Sequence, residues 1–165
     1  NIWSCVAAPI QYAALVAYSG DPEIDEYVKF CAQIHGIRTR YLYNLMHGLG
    51  VPCAEPTGAF YIFPSFDPWR EELAARGVHN DQELALHLLE KYEIATLPGS
   101  AFNAARDLCL RLSSSFIDAN TDEDADALVE AYRANPDPEA FIRDHHPRLQ
   151  KVAERFGDFI AELKI

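Results

Sequence analysis

Leu108-Cys109-Leu110-Arg111-Leu112-Ser113 alternates without a break. In an extended strand successive side chains point to opposite faces, so Leu108, Leu110 and Leu112 share one face and Cys109, Arg111 and Ser113 the other. Three leucines on one face require an apolar layer to pack against. If helices supply that layer, Arg111 is presented on the opposite face of the same rigid element.

Working outward, Glu93 to Leu97 reads as a short strand stopped by Pro98-Gly99-Ser100. Asp81 to Tyr92 reads as a helix with Leu84, Leu88 and Leu89 on one side. Glu55-Pro56-Thr57-Gly58 is turn chemistry, and the aromatic, β-branched run Ala59-Phe60-Tyr61-Ile62-Phe63, closed by Pro64, fits a buried strand with Tyr61 in the core. Towards the N-terminus, Pro9 opens a helix that continues through Tyr18. Asp21 is placed to cap a second helix, with Pro22 at its first position and Glu23, Asp25 and Glu26 in its first turn. Ile24, Val28, Cys31, Ile34, Tyr41, Leu42, Leu45 and Leu49 recur there at helical spacing until Gly48 and Gly50 end it. On the C-terminal side, Thr121 to Arg133 and Glu139 to Leu163 are helical patterns separated by Asn135-Pro136-Asp137-Pro138, the second interrupted at Pro147. The order predicts an α+β fold: a small, mostly antiparallel sheet covered by helices, with a long N-terminal helical region and C-terminal helices.

A length of 165 residues, 49% apolar and 24% charged, suits a globular chain with a real core. The net charge of −11 argues against nucleic-acid or anionic-membrane partners, because phosphate binding needs clustered Lys and Arg. Acidic residues between Asp118 and Glu139 read as a solvated helical face. No apolar run reaches membrane-spanning length, and the first residues lack the basic and apolar regions expected of a signal peptide. Cys5, Cys31, Cys53 and Cys109 form no Cys-x-x-Cys pair and read as buried free thiols of a reducing compartment. Adjacent His145 and His146 point apart on a helix, and the other histidines lack two-histidine zinc spacing, so no metal is expected. Glu71 and Glu72 read as solvated, and Ser113-Ser114-Ser115 lacks the glycine elbow of a serine hydrolase.

Arg111 carries the sharpest chemistry. A guanidinium is planar, permanently charged and able to hold a carboxylate through two parallel hydrogen bonds. An arginine so placed more often pairs with an internal acid, and spacing alone leaves both readings open.

Three ordered motifs favour the ligand. Pro56-x-Gly58-Ala59-Phe60-Tyr61, Leu97-Pro98-Gly99-Ser100-x-Phe102 and Leu110-Arg111-Leu112-Ser113 together resemble the small domain of class I/II, fold-type-I pyridoxal-phosphate (PLP) aminotransferases. Ser4 to Leu15, with Gln11-Tyr12-Ala13-Ala14, resembles the family's helix leading from the large domain to the small one. The resemblance covers roughly residues 1 to 133. It implies an inter-domain helix remnant over 1–20, a small domain over 21–133 and a helical extension over 134–165. Chains of this type commonly end soon after a helix like Thr121 to Arg133, so the extension departs from the pattern. Asn103 departs too, standing where glycine is frequent.

The resemblance implies that Arg111 binds the α-carboxylate of an amino-acid or 2-oxo-acid substrate, with Ser113 and Ser4 as further substrate-binding candidates. It implies that Pro98, Gly99 and Ser100 form a loop near the domain interface and that Gly58 makes the tight turn opening the aromatic strand. PLP is the cofactor so implied for a full-length, cytoplasmic, homodimeric parent. None is expected on this chain alone: Lys29, Lys91, Lys151 and Lys164 all lack the context of the family's Schiff-base lysine. No catalytic residue is therefore assigned, and the chain alone is expected to be inactive. Its opening at Asn1, inside a structured segment, also reads as part of a longer chain. C–S lyase or decarboxylase chemistry on the same fold, or an effector-sensing domain of an aminotransferase-like transcription regulator, are the alternatives.

Overall fold

The computed structural model describes residues 6–104, 108–115 and 117–164. They belong to two units, Asn1–Gln33 and Ile34–Ile165. In the first, α1 (Ala8–Ala17) has Pro9 in its first turn and buries none of its side chains. Gly20 adopts a left-handed φ of 77° between α1 and α2 (Pro22–Leu49), and the Asp21 carboxylate accepts the Glu23 N–H at 2.9 Å, as the capping pattern predicts.

The second unit begins within α2. There Ile34, Leu42 and Met46 are buried, together with Arg38 and Thr39, which apolar periodicity did not mark. Gly50, at φ 82°, ends the helix; the Val51 N–H returns to the Met46 carbonyl at 2.9 Å. This left-handed cap is one that glycine adopts without steric cost.

Three short strands form one antiparallel sheet in the order β1-β3-β2: β1 (Tyr61–Ile62), β2 (Leu97–Pro98) and the central β3 (Leu110–Ser113). Tyr61 pairs with Ser113 and Ile62 with Leu112, while Leu97 pairs with Arg111 and Pro98 with Leu110. An isolated bridge from Ser65 to Cys109 extends the contact. Both outer strands are shorter than their sequence patterns predict. The run 59–63 contracts to two paired residues, and the 93–97 strand shifts to Leu97–Pro98 because Glu93 is the left-handed cap of the preceding helix.

α3 (Arg70–Ala74) and α4 (Asp81–Tyr92) lie between β1 and β2. Asn80 caps α4, accepting the Glu83 N–H at 2.9 Å. Leu84 and Leu88 are buried, but Leu89 lies on the solvent side, contrary to expectation. α5 (Asp122–Ala134) starts with a Thr121–Asp124 capping box. α6 (Pro138–His145) and α7 (Pro147–Leu163) divide at Pro147. Phe156, Phe159, Ile160 and Leu163 of α7 share one apolar core with Leu84 and Leu88 of α4 and with Leu108, Leu110 and Leu112. Each fully buried leucine or phenylalanine contributes about 1.5–3 kcal/mol by leaving water, so α7 is integral to this core.

Candidate functional site

The cross-strand register puts Arg111, Ser113, Tyr61 and Leu97 on one face of the sheet, because directly paired residues point the same way. Leu110, Leu112 and Ile62 occupy the other face and are buried. Cys109 departs from the simple alternation by being buried as well. Cys31 and Cys53 have free thiols that are only half-buried, which corrects the expectation of buried cysteines.

Arg111 is half-buried, and its Nε is shielded from water without a hydrogen-bond partner. Among the described residues no carboxylate pairs with it. Its contacts are aromatic instead: Cζ lies 4.4 Å from the ring centroid of Tyr61 and 4.4 Å from that of Phe102. Tyr61 is 37% exposed, not the core residue its apolar strand neighbours suggested. Arg111 lines a cleft of about 400 Å³ together with Thr96, Ser113 and Ser115 and with apolar residues that include Leu42 and Phe156. Ser113 Oγ lies 2.7 Å from Ser115 Oγ, and the buried Thr96 hydroxyl has no partner. Glu93 also lines the cleft, with its carboxylate paired to Arg155. The result is a cleft lined by a cation, hydroxyls and apolar side chains, a combination suited to an anion with an organic body.

The turn after β2 supports this face. Gly99–Phe102 form a single 3-10 turn, tied to the sheet by the Gly99 N–H donating to the Cys109 carbonyl at 2.8 Å. Buried Asp81 accepts the Ser100 N–H. Asn103 closes the turn in a left-handed conformation, φ 65°, which asparagine tolerates better than most residues. Gly99 must be small, since a Cβ there would meet the Cys109 carbonyl oxygen at 2.9 Å. Gly58 is different: a Cβ would meet nothing within 4 Å, and the left-handed residue of that turn is Ala59, φ 57°. The expectation that Gly58 supplies the turn's special geometry is therefore corrected. Ser4 lies outside the described residues.

Asp67 steadies the approach to β3 by accepting the Leu108 N–H at 3.2 Å and pairing with Arg70. Burial pushes its carboxyl up, but the bonds from Leu108, Arg70 and Ser65 outweigh this and hold it below the ordinary carboxylate range.

A buried polar group escaped the sequence reading. Thr39 Oγ1 lies 2.8 Å from Ser114 Oγ, joining α2 to the residue after β3. His146 is fully buried, with Nδ1 3.1 Å from the Phe141 carbonyl. Burial lowers the Arg38 pKa against an opposing pull from Asp118. Burial likewise lowers those of His146 and His35, and Arg38 adds to both shifts. No cluster of His, Cys, Asp or Glu among the described residues is arranged to hold a metal ion.

Comparison with known proteins identifies the class. Residues 2–131 match the family model "Aminotransferase class I and II", and the chain belongs to that family. It is 37% identical over 106 residues to an aspartate aminotransferase of Geobacillus stearothermophilus, covering 64% of this chain and 25% of that protein. It is 31% identical over 100 residues to the glutamate-pyruvate aminotransferase of Escherichia coli strain K12, covering 60% and 23% respectively. Its fold resembles an aromatic aminotransferase from Pyrococcus horikoshii with a TM-score of 0.61 and 24% identity, over 94% of this chain and 32% of that one. An aspartate aminotransferase from Thermotoga maritima superposes with a TM-score of 0.56 and 27% identity, over 95% and 29%. The chain spans about a quarter of the length of these curated relatives. The family implies PLP for the full-length enzyme.

Proposed function

We propose that this chain is the substrate-gripping C-terminal part of a PLP-dependent aminotransferase, with Arg111 holding the α-carboxylate of an amino-acid or 2-oxo-acid substrate. The observation carrying this reading is a half-buried guanidinium that meets no carboxylate among the described residues, in a cleft it lines together with hydroxyls and apolar side chains.

The described residues do not by themselves fit PLP. None of the four lysines lines the cleft; Lys91 pairs with Glu162, and the Lys164 ammonium donates to the Leu49 carbonyl at 3.4 Å. No bond-making step is therefore assigned to this chain. Its part is to bind the carboxylate, exclude water on the apolar side of the cleft and fix the substrate's orientation, which lowers the barrier through position alone. Amino-group transfer belongs to the parent enzyme, read as a cytoplasmic homodimer, and the chain alone is read as inactive.

In the intact enzyme, Arg111→Lys exchanges a two-pronged contact for a point charge. Losing one charge-assisted hydrogen bond, worth about 1.5–3 kcal/mol, weakens amino- and 2-oxo-acid binding by roughly 10- to 150-fold. Cofactor absorbance should be unchanged. Unaltered affinity for both substrate types would sink the assignment.

A further inference from the structure

Tyr61 and Phe102 are open to solvent, at 37% and 41%, and gain correspondingly little from burial. Both are nonetheless braced. Phe60 lies 4.4 Å from Tyr61 with the ring planes 48° apart, and His35 lies 5.3 Å from Phe60. Phe63 meets Phe102 edge-on, at 6.0 Å and 87°. The turn bearing Phe102 is pinned by Asp81 at Ser100 and by Cys109 at Gly99. Two exposed rings, each with an aromatic brace, converge on one cation.

They also approach from different sides. Tyr61 belongs to β1 and Phe102 follows β2, while Arg111 lies on β3 between those strands. A guanidinium is weakly hydrated and stacks readily on aromatic faces, whereas all its N–H donors lie in its own plane. Rings therefore hold the cation without consuming the hydrogen bonds that a carboxylate needs. A hydrogen-bonded acid would fix the side chain equally well but would occupy those donors.

We propose that Tyr61 and Phe102 are positioning residues that grip the Arg111 guanidinium through its π-faces and hold its donor edge ready before a carboxylate arrives. This rests on the reading of Arg111 as a carboxylate clamp. The aromatic run Phe60 to Phe63 thereby gains a role beyond core packing: Tyr61 holds the cation, while Phe60 and Phe63 hold the rings. Ordering the arginine during folding removes an entropy cost from binding, which is how preorganisation raises affinity.

The test uses the 165-residue chain uniformly labelled with nitrogen-15. NMR relaxation at Arg111 Nε reports its order, and the Leu112 and Ser113 amides report titration with sodium acetate against sodium chloride. In the wild type the Nε–H order parameter should approach the rigid value of about 0.85, and in the Tyr61→Leu/Phe102→Leu double variant it should fall below about 0.6. Acetate affinity should fall by about 2- to 12-fold in the double variant, as expected for one newly mobile side chain. Tyr61→Phe and Phe102→Tyr, which keep the rings, should remain within about twofold of wild type by the same estimate. Unchanged order and affinity in the leucine variant overturn the grip. Acetate failing to move either amide in the wild type overturns the carboxylate reading instead, with Nε order still deciding the grip. Phe102→Leu alone, at an exposed position, provides the same readouts should the double variant not fold.

Discussion

Replacing Gly99 by alanine puts a methyl carbon 2.9 Å from the Cys109 carbonyl oxygen, 3.1 Å from Cys109 Cβ and 3.3 Å from Ala104 Cβ. The closest atom is backbone in the central-strand segment, so no flexible side chain can swing aside. Relief requires the turn to move off β3, yet the Gly99 N–H donates to that same carbonyl at 2.8 Å. The expected cost is about 1–3 kcal/mol, the usual range for overpacking a tight site. With a urea slope of about 1–3 kcal/mol per molar, a loss of ~2 kcal/mol lowers the unfolding midpoint by roughly 1 M. Gly58→Ala is the control: no atom crowds its Cβ and its φ is not left-handed, so it should be neutral or stabilising by up to about 1 kcal/mol. Urea titrations followed by far-ultraviolet circular dichroism measure both. A Gly99→Ala midpoint equal to wild type, or an equal loss in both variants, would refute the argument. The displaced turn should also carry Phe102 away from Arg111 and change the chemical shift of the Arg111 Nε proton.

Two further outcomes concern the core. Phe156→Ala removes a fully buried ring of α7 and should cost about 3–5 kcal/mol in a urea titration; a loss below about 1 kcal/mol would mean that α7 is not part of the core. For His146, burial holds the folded pKa below the ordinary histidine value of about 6.5. The unfolded chain therefore binds more protons on acidification, so stability is present above about pH 6.5 and lost as pH falls towards the folded value. His35 and His87, also lowered mainly by burial, add to that slope. His146→Asn, which keeps a donor for the Phe141 carbonyl, should flatten the slope of stability against pH between 5 and 7 measured by urea titration; an unchanged slope would assign the effect to other groups.

The elements that were legible are those specified by neighbours in the chain. Asp81–Tyr92 has the expected bounds because its apolar spacing is local and Asn80 caps its start, whereas the left-handed conformation of Glu93 at its end is not announced by the residue type. Pro147 marks the division of the terminal helix for the same local reason. The outer strands were overextended because ladder length depends on the partner: β3 pairs with only two residues of each. Arg38 and His146 were missed because burial of a polar group depends on distant contacts that apolar periodicity does not encode.

Arg111 shows where the two kinds of information meet. Alternation within its own strand separates it from the leucines, and that part is local. Which side chains share its face depends on register: Tyr61 opposite Ser113 and Leu97 opposite Arg111 put Tyr61 on the arginine's side, whereas a one-residue slip would put Ile62 there. The apolar neighbours of Tyr61 in the chain pointed to the core, yet its cross-strand neighbours govern its environment. The aromatic setting of Arg111 thus depends on three segments at once: β3 presents the cation, β1 brings one ring, and the turn at Gly99 brings the other. This convergence explains why a methyl group at Gly99, whose nearest contacts are Cys109 and Ala104, should disturb the hold on the cation.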